Sequence, residues 1–205
     1  MLRSRIYDAL IPGLTSRWYA EVLARVPEQA RLLDVGIGTA GALLTNTPAL
    51  VEKDLRITGI DIDADYIERA RQQLESAGLT PRCSVHHESV YDHSGGPYEV
   101  VYFSASFMLL PDPEGALRHC MALLSDNGRI FFTQTIQRKR SAVMETLKPL
   151  LRRATSIDFG RVTYEDDFRA QIHAAGLELT EFTVLSHHGT RDSVLAVAKP
   201  PTREP

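Results

Sequence analysis

The chain has 205 residues, 43% hydrophobic and 24% charged, with 23 basic against 26 acidic side chains and a net charge of −3. That profile excludes a disordered tail and offers no electrostatic pull toward nucleic acid or anionic lipid. No apolar run nears the ~20 residues of a membrane span, the arginines at 3 and 5 have no apolar stretch behind them, and Cys83 and Cys120 are too few for a disulfide framework, so a single cytoplasmic domain over 1–205 is expected.

Residues 16–26 have the spacing of an amphipathic helix that ends near Pro27. Trp18 and Tyr19 are adjacent on it and point in different directions. Residues 31–35 are a short apolar run bounded by glycine and read as a buried strand. Gly36, Gly38 and Gly41 follow, a helix starts at 42–44, and Pro48 restarts it with Thr47 as N-cap. A strand at 55–60 and a helix at 63–77 with Gly78 as its stop come next, then a strand at 82–86. The spacing predicts a fourth strand at 99–104, a helix at 114–124 closed by Asn127-Gly128, and a fifth strand at 129–135. Strand and helix alternate throughout, which predicts an α/β, doubly wound, mostly parallel sheet with helices on both faces.

The pattern then changes. Residues 141–154 read as a helix interrupted by Pro149, and Thr163 with Asp166 reads as a capping box opening a helix that ends at Gly176. Strands at 177–185 and 194–198 are joined too tightly for a crossover helix, so they are antiparallel and place one reversed strand at the end of the sheet. Segments 1–26 and 136–164 lie outside the alternating core and are candidate lids. Residues 199–205 read as a frayed tail.

The run Asp34-Val35-Gly36-Ile37-Gly38-Thr39-Ala40-Gly41 sits between a strand and a helix. Glycines there permit a sharp turn and close approach of a ligand to the backbone, and the helix start presents free N–H groups. Asp61, 20 residues after Gly41, ends the second strand, where an acid holds ribose hydroxyls. Taken alone, the motif fits NAD as well as any other nucleoside cofactor. Asp34, however, suits an ammonium and repels a pyrophosphate. No Tyr-x-x-x-Lys pair exists, and the chain is short for a separate dehydrogenase substrate domain. An NAD-linked oxidoreductase and a non-catalytic binding module are the alternatives.

From about residue 31 to 198 the sequence resembles the class I S-adenosylmethionine-dependent methyltransferases, whose sheet has seven strands and an antiparallel final hairpin. Leu-Leu-Asp-Val-Gly-Ile-Gly-Thr at 32–39 looks like the family's first motif, and Ile-Thr-Gly-Ile-Asp-Ile-Asp at 57–63 like its second. The resemblance implies S-adenosylmethionine as cofactor. Asp34, Gly36, Ile37 and Gly38 would hold its methionine part, Asp61 its ribose and Ile62 the adenine. His-Glu-Ser-Val-Tyr-Asp at 87–92 falls at the adenine-edge turn, so Glu88 would face the amino group, with Ser89 and Val90 giving backbone contacts. Glu88 stands where a shorter Asp is commoner. Tyr-Glu-Val-Val-Tyr-Phe-Ser at 98–104 matches the fourth strand and ends near the reacting methyl at Ser104, and Leu-Leu-Ser-Asp-Asn-Gly-Arg-Ile at 123–130 the lead into the fifth. The Asn- or Asp-Pro-Pro-aromatic signature of base and amide methylation is replaced by Ser104-Ala105-Ser106-Phe107, which disfavours nucleic acid.

The resemblance therefore implies in-line methyl transfer, in which positioning does most of the work and a base is needed only for a protonated acceptor; its motifs are specific to no substrate, and a small-molecule acceptor is expected ahead of a protein side chain or nucleic acid. Acceptor-facing candidates are Phe107 and Met108 after strand four, Gln134 and Gln137 after strand five, and Tyr7, Trp18 and Tyr19 from the lid; core packing is the plain alternative for 107–110. No metal is expected, because the adjacent pairs His86-His87 and His187-His188 point to opposite strand faces. His187 or His188 would be a base only if the final hairpin reached the site. Arg138-Lys139-Arg140 and Arg152-Arg153 read as solvated helix ends, or as a site for an acidic acceptor.

Overall fold

A computed structural model describes residues 12–138 and 163–201. The expected helix at 141–154, Tyr7 and most of the expected 136–164 lid lie outside the described residues. The elements, in chain order, are α1 (Pro12–Arg25), β1 (Arg31–Val35), α2 (Gly41–Leu44), α3 (Thr47–Glu52), β2 (Arg56–Asp61), α4 (Ala64–Ser76), β3 (Cys83–His87) and β4 (Tyr98–Ser104). A 3-10 turn (Phe107–Leu109), α5 (Pro113–Leu123), β5 (Leu124–Gln137), α6 (Glu165–Ala174), β6 (Glu178–His188) and β7 (Arg191–Lys199) complete them.

The described residues form one seven-stranded sheet in the order β3-β2-β1-β4-β5-β7-β6. β1 through β5 pair in parallel, and β7 pairs antiparallel with both β5 and β6. The reversed strand predicted for the sheet's end is thus second from the edge. β6, made first, takes the edge and runs with β5 again. Alternation along each strand sends side chains to two cores. Leu32, Ile57, Val100, Phe131 and Leu195 meet Tyr19, Val22 and Leu23 of α1 with Leu50 of α3 and Ile67 of α4. Leu33, Val101, Phe103 and Phe132 meet Leu117 of α5 and Phe168 of α6. Both faces are covered, which is why the strands read as near-continuous apolar runs.

Several local signals land differently from their sequence reading. α1 begins at Pro12 rather than at 16. Asn46, not Thr47, precedes α3; its amide instead donates to Ser16 O at 3.0 Å and Ala42 O at 2.8 Å, tying α1 to α2. α4 is capped by Asp63, whose Oδ1 accepts from Asp65 N at 2.9 Å and Tyr66 N at 3.1 Å. Thr163 and Asp166 do not form the expected capping box: Tyr164 is the N-cap of α6, so Thr163 sits one residue too early. The Asn127-Gly128 turn falls inside β5, where Leu124 opposes Tyr98 and Arg129 opposes Val100, so the intervening residues bulge out. β7 runs through Lys199, which shortens the expected tail, and β5 continues to Gln137, which delays the start of the expected insertion.

Candidate active site

The carboxyl ends of β1, β2, β3 and β4 lie side by side, because the strands are parallel and adjacent. The chain leaves β1 through Gly36 at φ +80° and Gly38 at φ +59°, backbone states that suit glycine. The two glycines are required for different reasons. A Cβ at Gly36 would stand 2.6 Å from Ser106 Cβ, so Gly36 lets the loop close against the β4 exit, where Ser106 Oγ donates to Val35 O. A Cβ at Gly38 would meet nothing within 4 Å. That open side is room for a ligand to come down onto the backbone.

The loop is pinned to β2. Gly36 N and Ile37 N donate to Ile60 O at 2.8 and 3.2 Å. Asp61 Oδ2 accepts from Gly38 N at 2.9 Å and Oδ1 from Asp63 N at 2.9 Å, so Asp61 fixes the loop while staying half-buried at the rim. The Ile37 side chain packs over Gly59, where a Cβ would stand 2.4 Å from Ile37 Cδ1. Ile37 belongs to the core, and its N–H is already bonded.

Asp34 is 0% exposed. Tyr19, reaching in from α1, donates its hydroxyl to Asp34 Oδ2 at 2.6 Å, while Oδ1 has no partner. Burial first, and Asp61 to a smaller degree, raise the Asp34 carboxyl to about 7, against the opposing pull of the Tyr19 bond. Burial followed by Asp34 holds the Tyr19 hydroxyl well above its usual range, so it stays a donor. The Tyr19 ring meets Tyr102 edge-on at 5.0 Å, and the Tyr102 hydroxyl pairs with Thr133 Oγ1 at 2.7 Å. Sequence reasoning placed Tyr19 only as a lid candidate. Its signal was its place in the stripe Tyr19, Val22, Leu23, Val26, which carries the hydroxyl into the core, where it requires a partner.

Ile62 stands 75% exposed at the end of β2, an apolar side chain with an open face. Glu88 follows β3, and its N–H donates to Asp61 O at 3.0 Å. Its Oε2 lies 2.8 Å from Nδ1 of His93, a residue sequence reasoning passed over. Ser89 is half-buried and Val90 buried. Ser104 ends β4 with its Oγ buried and unpartnered. Phe107 has the core packing given above as the alternative for 107–110. It packs edge-on against Phe103, Phe132 and Phe168, with ring centroids 5.6, 5.0 and 5.8 Å away. Met108 is half-buried on the same turn. Gln134 is 1% exposed with both amide atoms unpartnered. It opposes Val194 of β7 and, one position on from Thr133, lies on the other face of the sheet from Tyr102.

His187 pairs with Asp192 at 2.8 Å at the β6–β7 hairpin, whose Arg191 opposes Gln137 at the carboxyl end of β5; β7 stands three strands away from β1. A cavity of about 320 Å³ is lined by Ile136, Tyr164, Phe182 and Val194, and a shallow one by Leu44 and Gln73; neither includes Asp34, Gly38 or Asp61. No helix among the described residues is long and apolar enough to cross a membrane.

Residues 33–130, which hold β1 to the middle of β5, match the family described as a methyltransferase domain. That match, together with the methyltransferase relatives, supports a class I S-adenosylmethionine-dependent methyltransferase. The methyltransferase is 29% identical over 174 residues to the ubiquinone biosynthesis O-methyltransferase of Bordetella avium strain 197N, covering 82% of this chain and 70% of that one. Its fold is similar to a geranyl diphosphate methyltransferase solved in complex with the cofactor (TM-score 0.70, 12% identity, covering 91% and 84% of the two chains). It is also similar to the cyclase SpnF (TM-score 0.73, 16% identity, covering 93% and 82%). The cofactor of the methyltransferase is S-adenosylmethionine. The residues present fit it: a buried carboxylate oxygen without a partner faces a cationic amino acid's requirement, and the open side of Gly38 leaves room beside it.

Proposed function

We propose that this methyltransferase moves the methyl group of S-adenosylmethionine to a small-molecule acceptor, with the cofactor lying across the ends of β1 to β4. The observation that carries the reading is Asp34, a fully buried carboxylate with Oδ1 unpartnered, one loop away from the open face of Gly38. A buried charge in that state is costly unless a cation completes it. The cofactor's ammonium is such a cation. Asp61 then meets the ribose, exposed Ile62 covers the adenine, Glu88 accepts from the adenine amino group, and Ser89 and Val90 line the turn beneath it. When bound, the cofactor supplies a sulfonium methyl that is already a strong electrophile. The chain's own contribution is to hold the acceptor in line and keep water out.

The acceptor binds beyond β4 and β5, where Ser104 and Met108 are half-buried, with Gln134 on the neighbouring strand and Tyr7 from the lid segment as further candidates. The B. avium relative, an O-methyltransferase by name, supports a small-molecule acceptor. The test is calorimetry with S-adenosylhomocysteine on the wild type and Asp61→Ala, followed by turnover on a panel of small hydroxyl, amine and carbon acids. Asp61→Ala is expected to weaken binding by about 1–3 kcal/mol. An unchanged dissociation constant would reject the ribose assignment, and absence of any binding would reject the reading as a whole.

A further inference from the structure

Behind Glu88 lies a buried chain of polar groups. His93 Nδ1 stands 2.8 Å from Glu88 Oε2, and His93 Nε2 stands 2.8 Å from the Tyr98 hydroxyl. The His93 side chain is 7% exposed, that of Glu88 30%, and Tyr98 is buried at the start of β4. His119 of α5 donates from Nε2 to His93 O at 2.7 Å, and His93 N donates to Ser89 O at 3.2 Å, so the histidine backbone is held as well as its ring. Room for the pair is made by Gly95: a Cβ there would stand 2.4 Å from the Tyr98 hydroxyl and 2.6 Å from His93 Nε2.

A glutamate carboxylate is an acceptor only, so His93 Nδ1 is the donor; with the imidazole in its neutral form the lone pair lies on Nε2, and Tyr98 donates to it. The result runs Tyr98 O–H to His93 Nε2, then His93 Nδ1–H to Glu88 Oε2. One carboxylate oxygen is anchored, the three-torsion side chain loses its rotamer freedom in advance, and the second oxygen of such a carboxylate is left as an acceptor.

We propose that His93, braced by Tyr98, is a positioning residue that makes the Glu88 turn selective for a purine carrying an exocyclic amine over one carrying a carbonyl oxygen at the same place. This rests on the reading of Glu88 as the adenine-facing acid. It also accounts for a glutamate where a shorter acid would otherwise serve, since the longer side chain spans from the β3 edge to the buried imidazole.

The experiment measures, by calorimetry, the affinity of the full chain for S-adenosylhomocysteine and for its hypoxanthine analogue, in which the amine is replaced by a carbonyl oxygen. The wild type is expected to prefer the adenine compound by about a hundredfold. His93→Leu is expected to reduce that preference about tenfold, chiefly through weaker adenine binding, while His93→Asn, which keeps a donor near the Nδ1 position, restores most of it. A merely structural role would weaken both compounds alike and leave the ratio unchanged; that result overturns the proposal. If His93→Leu does not fold, Tyr98→Phe carries the same test, with an expected loss of about threefold in the ratio. A wild type that binds both compounds equally overturns the proposal through Glu88 itself, whereas a wild type that binds neither shows that the underlying cofactor reading has failed.

Discussion

Asp34 combines complete burial, one bond from Tyr19 and one oxygen without a partner, and its protonation is therefore linked to both folding and binding. In the unfolded chain it titrates near the ordinary 3.8, in the folded state near about 7. Between those values the folded protein holds a proton that the unfolded chain has released. Its contribution to stability is highest at low pH, falls as pH rises through that window, and levels off above about 7. Urea melts from pH 5 to 8 should show this slope, and Asp34→Asn should remove it. An ammonium beside Asp34 favours the carboxylate, so cofactor binding expels the proton. The affinity for S-adenosylhomocysteine should be about tenfold weaker at pH 6 than at pH 8. Tyr19→Phe deletes the bond that favours the charged form, and should move the midpoint of that dependence to higher pH. A flat affinity profile would show that no cation reaches Asp34. None of this pairing was legible in the sequence: Tyr19 and Asp34 are 15 residues apart, and only the docking of α1 on β1 and β4 brings them together.

At the scale of the element, the β1–α2 loop separates structural glycine from ligand-facing glycine. Gly36→Ala combines a left-handed φ with a collision against Ser106, and should destabilise the fold by about 2–3 kcal/mol in thermal melts. Ser106→Gly in the same chain should recover the steric part and leave the backbone part. Gly38→Ala meets no neighbour, so its stability loss should be limited to about 1 kcal/mol of backbone strain, while its methyl occupies the open side and lowers cofactor affinity disproportionately. Equal effects of the two substitutions on binding and on stability would contradict this division. The loop itself was legible, because a strand, three glycines and a following acid form a local pattern. Caps were missed or misplaced: Asp63, read as the first residue of its helix, is the N-cap of α4, and Thr47 and Thr163 do not cap the helices that follow them. At Asn46 a tertiary demand prevailed: the amide joins α1 to α2 instead of capping α3.

For the molecule as a whole, alternation of strands and helices gave the parallel part of the sheet, and a short connection gave the antiparallel hairpin. The order of the last two strands was not legible, since it depends on which edge of β5 is filled and by which partner. β7 fills it, with Val194 through Ala198 buried on both faces. Truncation after Gly189 should therefore abolish the cooperative thermal transition rather than lower its midpoint; a truncated chain with a sharp melt would show that the sheet closes without β7. The same arrangement bears on synthesis. β6 leaves the ribosome ahead of β7, yet its only neighbour in the described sheet is β7. During translation the strand must wait as an unpaired ribbon beside the bare flank of β5, and a nascent polypeptide in that state presents a sticky margin until residues 191–199 slide between the two.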